Sequence, residues 1–425
     1  MKRFAKACAI LLTLLSASLT AHADTDTSTR ILDPQFKTLK LSNPEAFMAP
    51  PVITLGTDDH LLLSFDEIGE DISDLQFRLI HCNSDWQPSA LLESEYLDGF
   101  NIADIEDAAF SQNTFVHFVN YRVEIPSPGM EPLASGNYLV QVFFRDDPET
   151  PVLQARFYVA EQAVRVGGSA SGRTDRGINT EWQQLALRID PGSFPLSNPF
   201  TDVKVHVRQN DSPETDRLIP APSRLDGKTL VYEHVPNLVF PAGNEFRRFE
   251  TVRVNYPGMH VDSMRYGGSN YHAYLATDVR RAERSYLYDE TQHGRFLVRE
   301  FNSTDSDLGA DYVTVHFTLD TPELIGADVY VDGEMTHHRL DESTRLVFDH
   351  ADRRYRLQLP LKQGSYNYRY VAVPHETPSF EKASPAPVEG NYAETANEYQ
   401  VFVYYRPPGA RADRLIGAET IYSIR

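Results

Sequence analysis

Within six residues, His81-Cys82-Asn83-Ser84-Asp85-Trp86 gathers an imidazole, a thiol, a hydroxyl and a carboxylate, the residue types of nucleophilic catalysis. That chemistry needs nucleophile, base and orienting acid to meet in space, whatever their order in the chain. The cluster directly follows the apolar run Leu79-Ile80, and neighbours on a strand point to opposite faces, so His81 and Cys82 are not expected to meet. Cys82 is instead expected as a small buried hydrophobe. No Gly-x-Ser-x-Gly elbow occurs, nor a phosphate-binding glycine loop. Asp305-Ser306-Asp307-Leu308-Gly309 opens like a calcium loop but lacks the Asp/Asn-rich continuation and the distal Glu. Asp58-Asp59-His60 and His337-His338 have no partner at ligand spacing and are expected in solvated turns. With 60 Asp and Glu in the chain, paired carboxylates suited to glycoside hydrolysis are a matter of chance until geometry selects them. No enzyme, metal or cofactor is expected.

The elements that would carry these residues alternate with period two. Leu75, Phe77 and Leu79 are separated by Gln76 and Arg78, and Tyr138, Val140, Val142 and Phe144 follow the turn Ser135-Gly136-Asn137. Val203, Val205 and Val207, then Val313, Val315, Phe317 and Leu319, then Tyr366, Tyr368 and Tyr370, then Tyr399, Val401, Val403 and Tyr405 repeat the pattern. One wet face and one packed face is the signature of antiparallel sandwich strands. No sustained helical period occurs, although Leu91 to Phe110 has room for a short helix or a crossover. The fold expected is all-β, with three immunoglobulin-like β-sandwich domains in tandem. The glycine-rich stretch Gly167 to Gly172 and the polar stretch Asn302 to Gly309 read as junctions. They divide the chain into 24–162, 163–303 and 304–425. The paired tyrosines at Tyr366–Tyr370 and Tyr399–Tyr405 suit either a tyrosine-rich core edge or a protein interface.

Residues 1–23 read as a signal peptide. Lys2, Arg3 and Lys6 precede an apolar stretch from Ala7 to Leu19, too short for a bilayer, and Ala21-His22-Ala23 is a small-x-small cleavage site. Removing three positive charges takes the formal net charge from -20 to -23. An acidic chain with no basic stripe is a poor partner for nucleic acid or anionic membrane. Cleavage leaves Cys82 alone, which excludes a disulfide scaffold. The reading is an exported, soluble protein, most simply a monomer.

Val329-Tyr330-Val331-Asp332-Gly333, Tyr355 to Pro360 and Gln363-Gly364-Ser365-Tyr366-Asn367-Tyr368 make the last domain resemble the early-set immunoglobulin-like modules that accompany starch- and glycogen-acting enzymes. Those modules bind sugar through exposed Trp, and Trp86 and Trp182 both lie outside this segment. A carbohydrate-binding or carbohydrate-acting protein is the alternative this raises.

A wider set of stretches resembles the plug proteins of the type IX secretion system of Bacteroidetes. In order they are Leu55 to Asp59, Leu61 to Asp66, Leu79 to Trp86, Glu95-Tyr96-Leu97-Asp98-Gly99-Phe100, Ser135 to Leu139, Gly243-Asn244-Glu245-Phe246-Arg247-Arg248-Phe249-Glu250, Lys362 to Tyr368, Val388 to Thr395, Val403 to Arg406 and Arg411 to Gly417. The resemblance implies a periplasmic protein at the inner face of the outer membrane, sealing the periplasmic mouth of a large translocon β-barrel. It brings no catalytic residues. His81, Asn83, Asp85, Trp86, Asn244, Glu245, Arg247, Glu250 and Arg414 are the motif positions, expected to be structural; Arg and Glu within 245–250 are expected to form buried pairs that fix domain packing. The interface residues are not specified.

Overall fold

The computed structural model describes residues 26–375 and 382–423. The expected signal peptide, 1–23, lies outside them. The alternation folds as its period demands. Leu75, Phe77 and Leu79 are buried while Gln76 and Arg78 are partly exposed, and Val203, Val205 and Val207 do the same around Lys204 and His206. The protein is all-β and built of two-sheet sandwiches, each closed over its own apolar core. Full burial of each such Leu, Val or Phe contributes roughly 1.5–3 kcal/mol. Among the described residues no helix is long and apolar enough to cross a membrane.

In the first sandwich, one sheet runs in the order Arg30–Ile31, Pro151–Ala160, Gly136–Phe144, Leu75–Cys82, Ala103–Asp104. The facing sheet runs Phe36–Ser42, Leu61–Ile68, Phe118–Ile125, Asp107–Phe110. Phe36, Phe65, Phe77, Tyr121, Tyr138 and Phe157 fill the space between. A short helix, Glu93–Tyr96, stands in the segment where a helix or crossover was expected.

The second sandwich sets Arg165–Ser171, Trp182–Asp190, Thr229–Tyr232 and Arg224–Asp226 against Arg217–Ile219, Val203–Gln209, Glu398–Tyr405 and Arg414–Tyr422. Its core joins Val164, Leu187 and Phe240 to Tyr399, Val401, Val403 and Ile416. The third is an insertion within it. There Arg247–Glu250, Gly364–Pro374, Phe296–Val298 and Ala327–Asp332 face a sheet centred on Tyr312–Asp320 and Arg354–Lys362. Its core runs from Phe249 to Val388.

The division expected at 303/304 therefore differs from the packing. Val203–Gln209 pairs residue for residue with Glu398–Tyr405, from Val203 opposite Tyr405 to Gln209 opposite Tyr399, so the strands assigned to a third domain 304–425 complete the middle one. Gly167–Gly172 is not a junction either. It belongs almost wholly to the strand Arg165–Ser171, where a Cβ on Gly168 would come 2.6 Å from the Ala186 carbonyl and 2.7 Å from Ile421. Glycine serves close packing there, not flexibility. Asn302–Gly309 lies inside the third sandwich and faces the first, with Arg122 on Asp305 at 2.7 Å. Its polarity supplies partners rather than a linker.

The tyrosines are core residues. Tyr366, Tyr368, Tyr370 and Tyr399 are at most 1% exposed, and the hydroxyls of Tyr368 and Tyr370 both donate to Asp278 Oδ2, at 2.6 and 2.8 Å. The alternate positions Asn367 and Arg369 are also buried, because loops of the third sandwich and the edge of the second cover them. The strand is buried on both faces, which accounts for its aromatic content without an external partner.

Candidate functional site: the seams between the sandwiches

Polar side chains that interrupt the apolar alternation converge where the sandwiches meet. The first and second meet over Cys82, Trp86, Leu139 and Tyr158 on one side and Phe402, Tyr404 and Leu415 on the other. Tyr158 stacks on Phe402 with centroids 4.1 Å apart, and Arg156 lies 4.3 Å over the Trp86 ring. The motif containing His81 and the one containing Arg414 come together here, although more than 300 residues separate them. Ser84 donates to Asp413 Oδ2 through its backbone N–H at 3.0 Å and its hydroxyl at 2.8 Å. Asn83 Oδ1 accepts from the Asp413 N–H at 3.1 Å, and Tyr404 donates to Asn137 Oδ1 at 2.6 Å. Arg414 forks onto Glu161, at 2.9 and 2.6 Å.

Of the other motif positions in this region, His81 points into the first core, edge-on to Tyr138 at 5.1 Å and bonded to Ser89 Oγ at 2.8 Å. Asp85 is exposed and caps the turn by accepting from the Gln87 N–H. Cys82 is buried on the opposite face, and burial pushes its thiol pKa up to about 12. The thiolate is the nucleophile, so Cys82 is expected to react with a disulfide reagent at pH 8 only after denaturant is added. Rapid labelling of the native protein would contradict this placement.

The first and third sandwiches are joined through Asp66 and Lys362, both at most 1% exposed and 2.6 Å apart. Tyr312 donates to the same Asp66 oxygen at 2.6 Å, Lys362 also donates to the Asp307 carbonyl at 2.6 Å, and its ammonium lies 4.0 Å over Phe118. Asp311 accepts from the backbone N–H groups of Phe115 and Val116, at 2.7 and 3.0 Å.

The second and third meet at Arg369, which donates to Asp332 at 2.7 Å, to Ser212 Oγ at 2.8 Å and to Glu214. Arg295 reaches Glu398 across the same seam. Asn244, Glu245 and Arg247 sit at the crossing between these two sandwiches. Asn244 donates to the Glu389 carbonyl at 2.8 Å, Glu245 accepts from the Ala396 N–H at 2.9 Å, and Arg247 joins Glu389 at 3.0 Å to Asp278 at 2.6 Å. Burial alone would raise the Asp278 pKa, but Arg247 above all holds it at about 2. Glu250 is half-buried and joins the ladder through its backbone.

Asp66, Asp332, Lys362 and Arg369 were not singled out from the sequence. Their signal was a charge set in or directly ending an apolar strand, as Arg369 stands between Tyr368 and Tyr370 and Asp332 follows Val329-Tyr330-Val331. Such a charge is stable only with a buried partner; Asp66 and Lys362 find each other across two domains, whereas Arg369 pairs with Asp332 on the neighbouring strand and reaches Glu214 in the second sandwich.

His337 and His338 stand beside this seam and titrate in opposite senses. Burial, then the charges of His338 and Arg339, push His337 down to about 4. Burial opposes charge on His338 as well, but Asp332, 2.9 Å from its Nδ1, outweighs it and raises the pKa. A depressed histidine contributes stability above its unfolded value of about 6.5 and loses it as pH falls toward 4. A raised one contributes fully below 6.5 and loses it as pH rises through the folded value. Relative to the parent, His337→Gln is expected to shrink the drop in melting temperature between pH 7.5 and 5, and His338→Gln to enlarge it. Thermal melts at the two pH values check both signs.

Among the described residues no three His, Cys, Asp or Glu are placed to hold a metal ion. Asp305 and Asp307, the start of the calcium-like loop, are bound to Arg122. The geometry offers strong interdomain attachment, and it defines the class: three β-sandwiches locked together through buried polar seams. Residues 36–161 match the family described as type 9 secretion system plug protein, first domain. That segment, the first sandwich, thus belongs to the type 9 secretion system plug protein family. A crystal structure of a hypothetical protein from Parabacteroides merdae is similar over 93% of this chain and 99% of that one, at 37% identity and a TM-score of 0.90. A second solved structure, an alkylpurine DNA glycosylase of Pseudomonas fluorescens bound to DNA with an abasic-site analog, shares 13% identity over 29% of this chain and 30% of that one. Its TM-score of 0.18 carries no argument. Curated proteins give no match.

Proposed function

We propose that this protein acts without catalysis in the periplasm, where it binds the large outer-membrane barrel of the type IX secretion system and closes its periplasmic opening. The observation that carries this reading is the match of the first sandwich to the plug family, in a chain whose polar motif residues are mostly spent on locking three sandwiches together. A stopper must span a wide aqueous pore and resist deformation. Buried ion pairs between domains provide that stiffness, since separating them leaves charges without partners. Residues 1–23, read as a cleaved signal peptide, provide the route to the periplasm.

The test is capture of the tagged mature protein from detergent-solubilised envelopes, with the bound proteins identified by mass spectrometry. Recovery of a very large outer-membrane barrel in near-equal amount is expected. Its absence, with retention of the protein on a glycan column, would overturn the reading in favour of a carbohydrate-binding protein.

A further inference from the structure

We infer that a prong on the first sandwich, formed by residues 91–103 and 127–134, is the surface that docks into the barrel, in an apolar socket edged by lysine and arginine. This assignment rests on the plugging function proposed above and names the part of the protein that performs it.

Large apolar side chains concentrate on this prong. Phe100 is 86% exposed, Leu92 65%, Leu133 53% and Ile102 50%. Scattered exposed hydrophobics are ordinary, but a cluster on one projection marks an interaction site. The prong is also preorganised. Leu97–Gly99 pairs with Met130–Pro132, while Tyr96, Leu97 and Met130 root the ribbon in the first core. Gly99 has φ +95°, and a Cβ there would lie 2.0 Å from the Gly129 carbonyl oxygen, so the ribbon closes only with glycine. Asn101 folds the first arm back on itself by donating to Glu93 at 2.9 Å and to the Tyr96 hydroxyl at 3.3 Å, and anchors it by accepting from the Leu79 N–H at 2.9 Å. Little conformational freedom is left to lose on docking.

Charge decides the partner. Residues 85–106 and 124–134 contain eight Asp and Glu and no Lys, Arg or His. Arg411 and Arg145 reach in from outside to Glu95 and Asp104. Among the described residues no cation pairs with Glu93, Asp98, Glu106, Glu124 or Glu131. Asp98 lies directly opposite Glu131 in the ribbon, an arrangement that costs stability unless a cation joins it. An apolar tip ringed by uncompensated carboxylates repels anionic lipid and a second copy of this acidic chain. It complements an apolar pocket with a basic rim.

The experiment places a photo-crosslinking phenylalanine analogue at position 100, 133 or, as a control remote in sequence, at Ile325, which is 96% exposed. Cells are irradiated, and co-purification of the barrel is measured in the same samples. Adducts between the barrel and positions 100 and 133, but not 325, are expected. The double variant D98K/E131K, altered only at exposed positions, is expected to lower barrel recovery at least tenfold. Undiminished recovery of the barrel without adducts at 100 or 133 overturns the prong and leaves the plugging function standing. Adducts to a second copy of the chain or to lipid overturn it as well. Failure of the barrel to co-purify at all overturns the plugging function and, with it, this choice of partner.

Discussion

Replacing Lys362 by Met is expected to lower the unfolding free energy by about 3–5 kcal/mol, the cost of leaving a buried charge without its partner. Asp66 is fully buried, and its nearest cation is the Lys362 ammonium at 2.6 Å. Tyr312 and Asn120 still donate to the carboxylate, at 2.6 and 2.8 Å, but neutral donors do not cancel its charge. The seam between the first and third sandwiches should loosen first, visible as a calorimetric transition that splits in two. The double variant D66L/K362M removes both charges and is expected to recover most of the loss, because an apolar pair of similar volume often matches a buried ion pair. A single variant within about 1 kcal/mol of the parent would mean that Asp66, whose pKa burial already raises, takes up a proton once its cation is gone.

Arg369→Leu is expected to act with similar size on the other seam. It strips Asp332 and Glu214 of one shared guanidinium and leaves Ser212 Oγ without its donor. In the parent, burial works against ionisation of Asp332, but Arg369 and then His338 hold its pKa below the usual carboxylate range. A depressed carboxylate contributes stability above its unfolded value of about 3.9 and loses it as pH falls through the folded value. Without Arg369 the Asp332 pKa must rise, so the defect should be largest near pH 7.5 and shrink toward pH 5. Urea unfolding at the two pH values reads this directly; a pH-independent defect would assign the loss to packing instead. Barrel capture by either variant, measured below its transition, tests whether the proposed barrel binding depends on a rigid body.

The strands were legible because their information is local. The alternation at Leu75–Leu79 or Val313–Leu319 requires only the residues themselves and a two-residue period. The motifs around His81 and Arg247 were legible as residue types, but not their contacts, since Asn83 meets Asp413 and Arg247 meets Glu389 from far along the chain. The middle boundary was not legible. Glu398–Tyr405 reads like any buried strand, and nothing within it states that its neighbour is Val203–Gln209, nearly 200 residues earlier. The glycines at 167–172 misled for a related reason: Gly168 answers to the side chain of Ile421 and the backbone of the neighbouring strand, and Gly172 to Ala393 and Asn179, none of them adjacent in sequence. The seam charges stood in plain view as interruptions of apolar strands, yet a partner across a domain boundary leaves no spacing to read.

The insertion of one sandwich within another also fixes an order of events for a chain that arrives from its N-terminus. The first sandwich draws only on early residues and can close at once. The middle one cannot, because half of its second sheet is Glu398–Tyr405 and Arg414–Tyr422. Until these arrive, Val203–Gln209 presents a bare edge, the kind of template that invites pairing with other chains. Folding of the third sandwich shortens the wait. Its two ends meet where Gly243 donates to Asn391 Oδ1 and Tyr392 donates back to the Gly243 carbonyl, both at 2.9 Å, so a loop of about 150 residues becomes a short closed one. The insertion thus acts as a clasp: it gathers the late strands beside the early ones, and the period of vulnerability ends when the third sandwich folds.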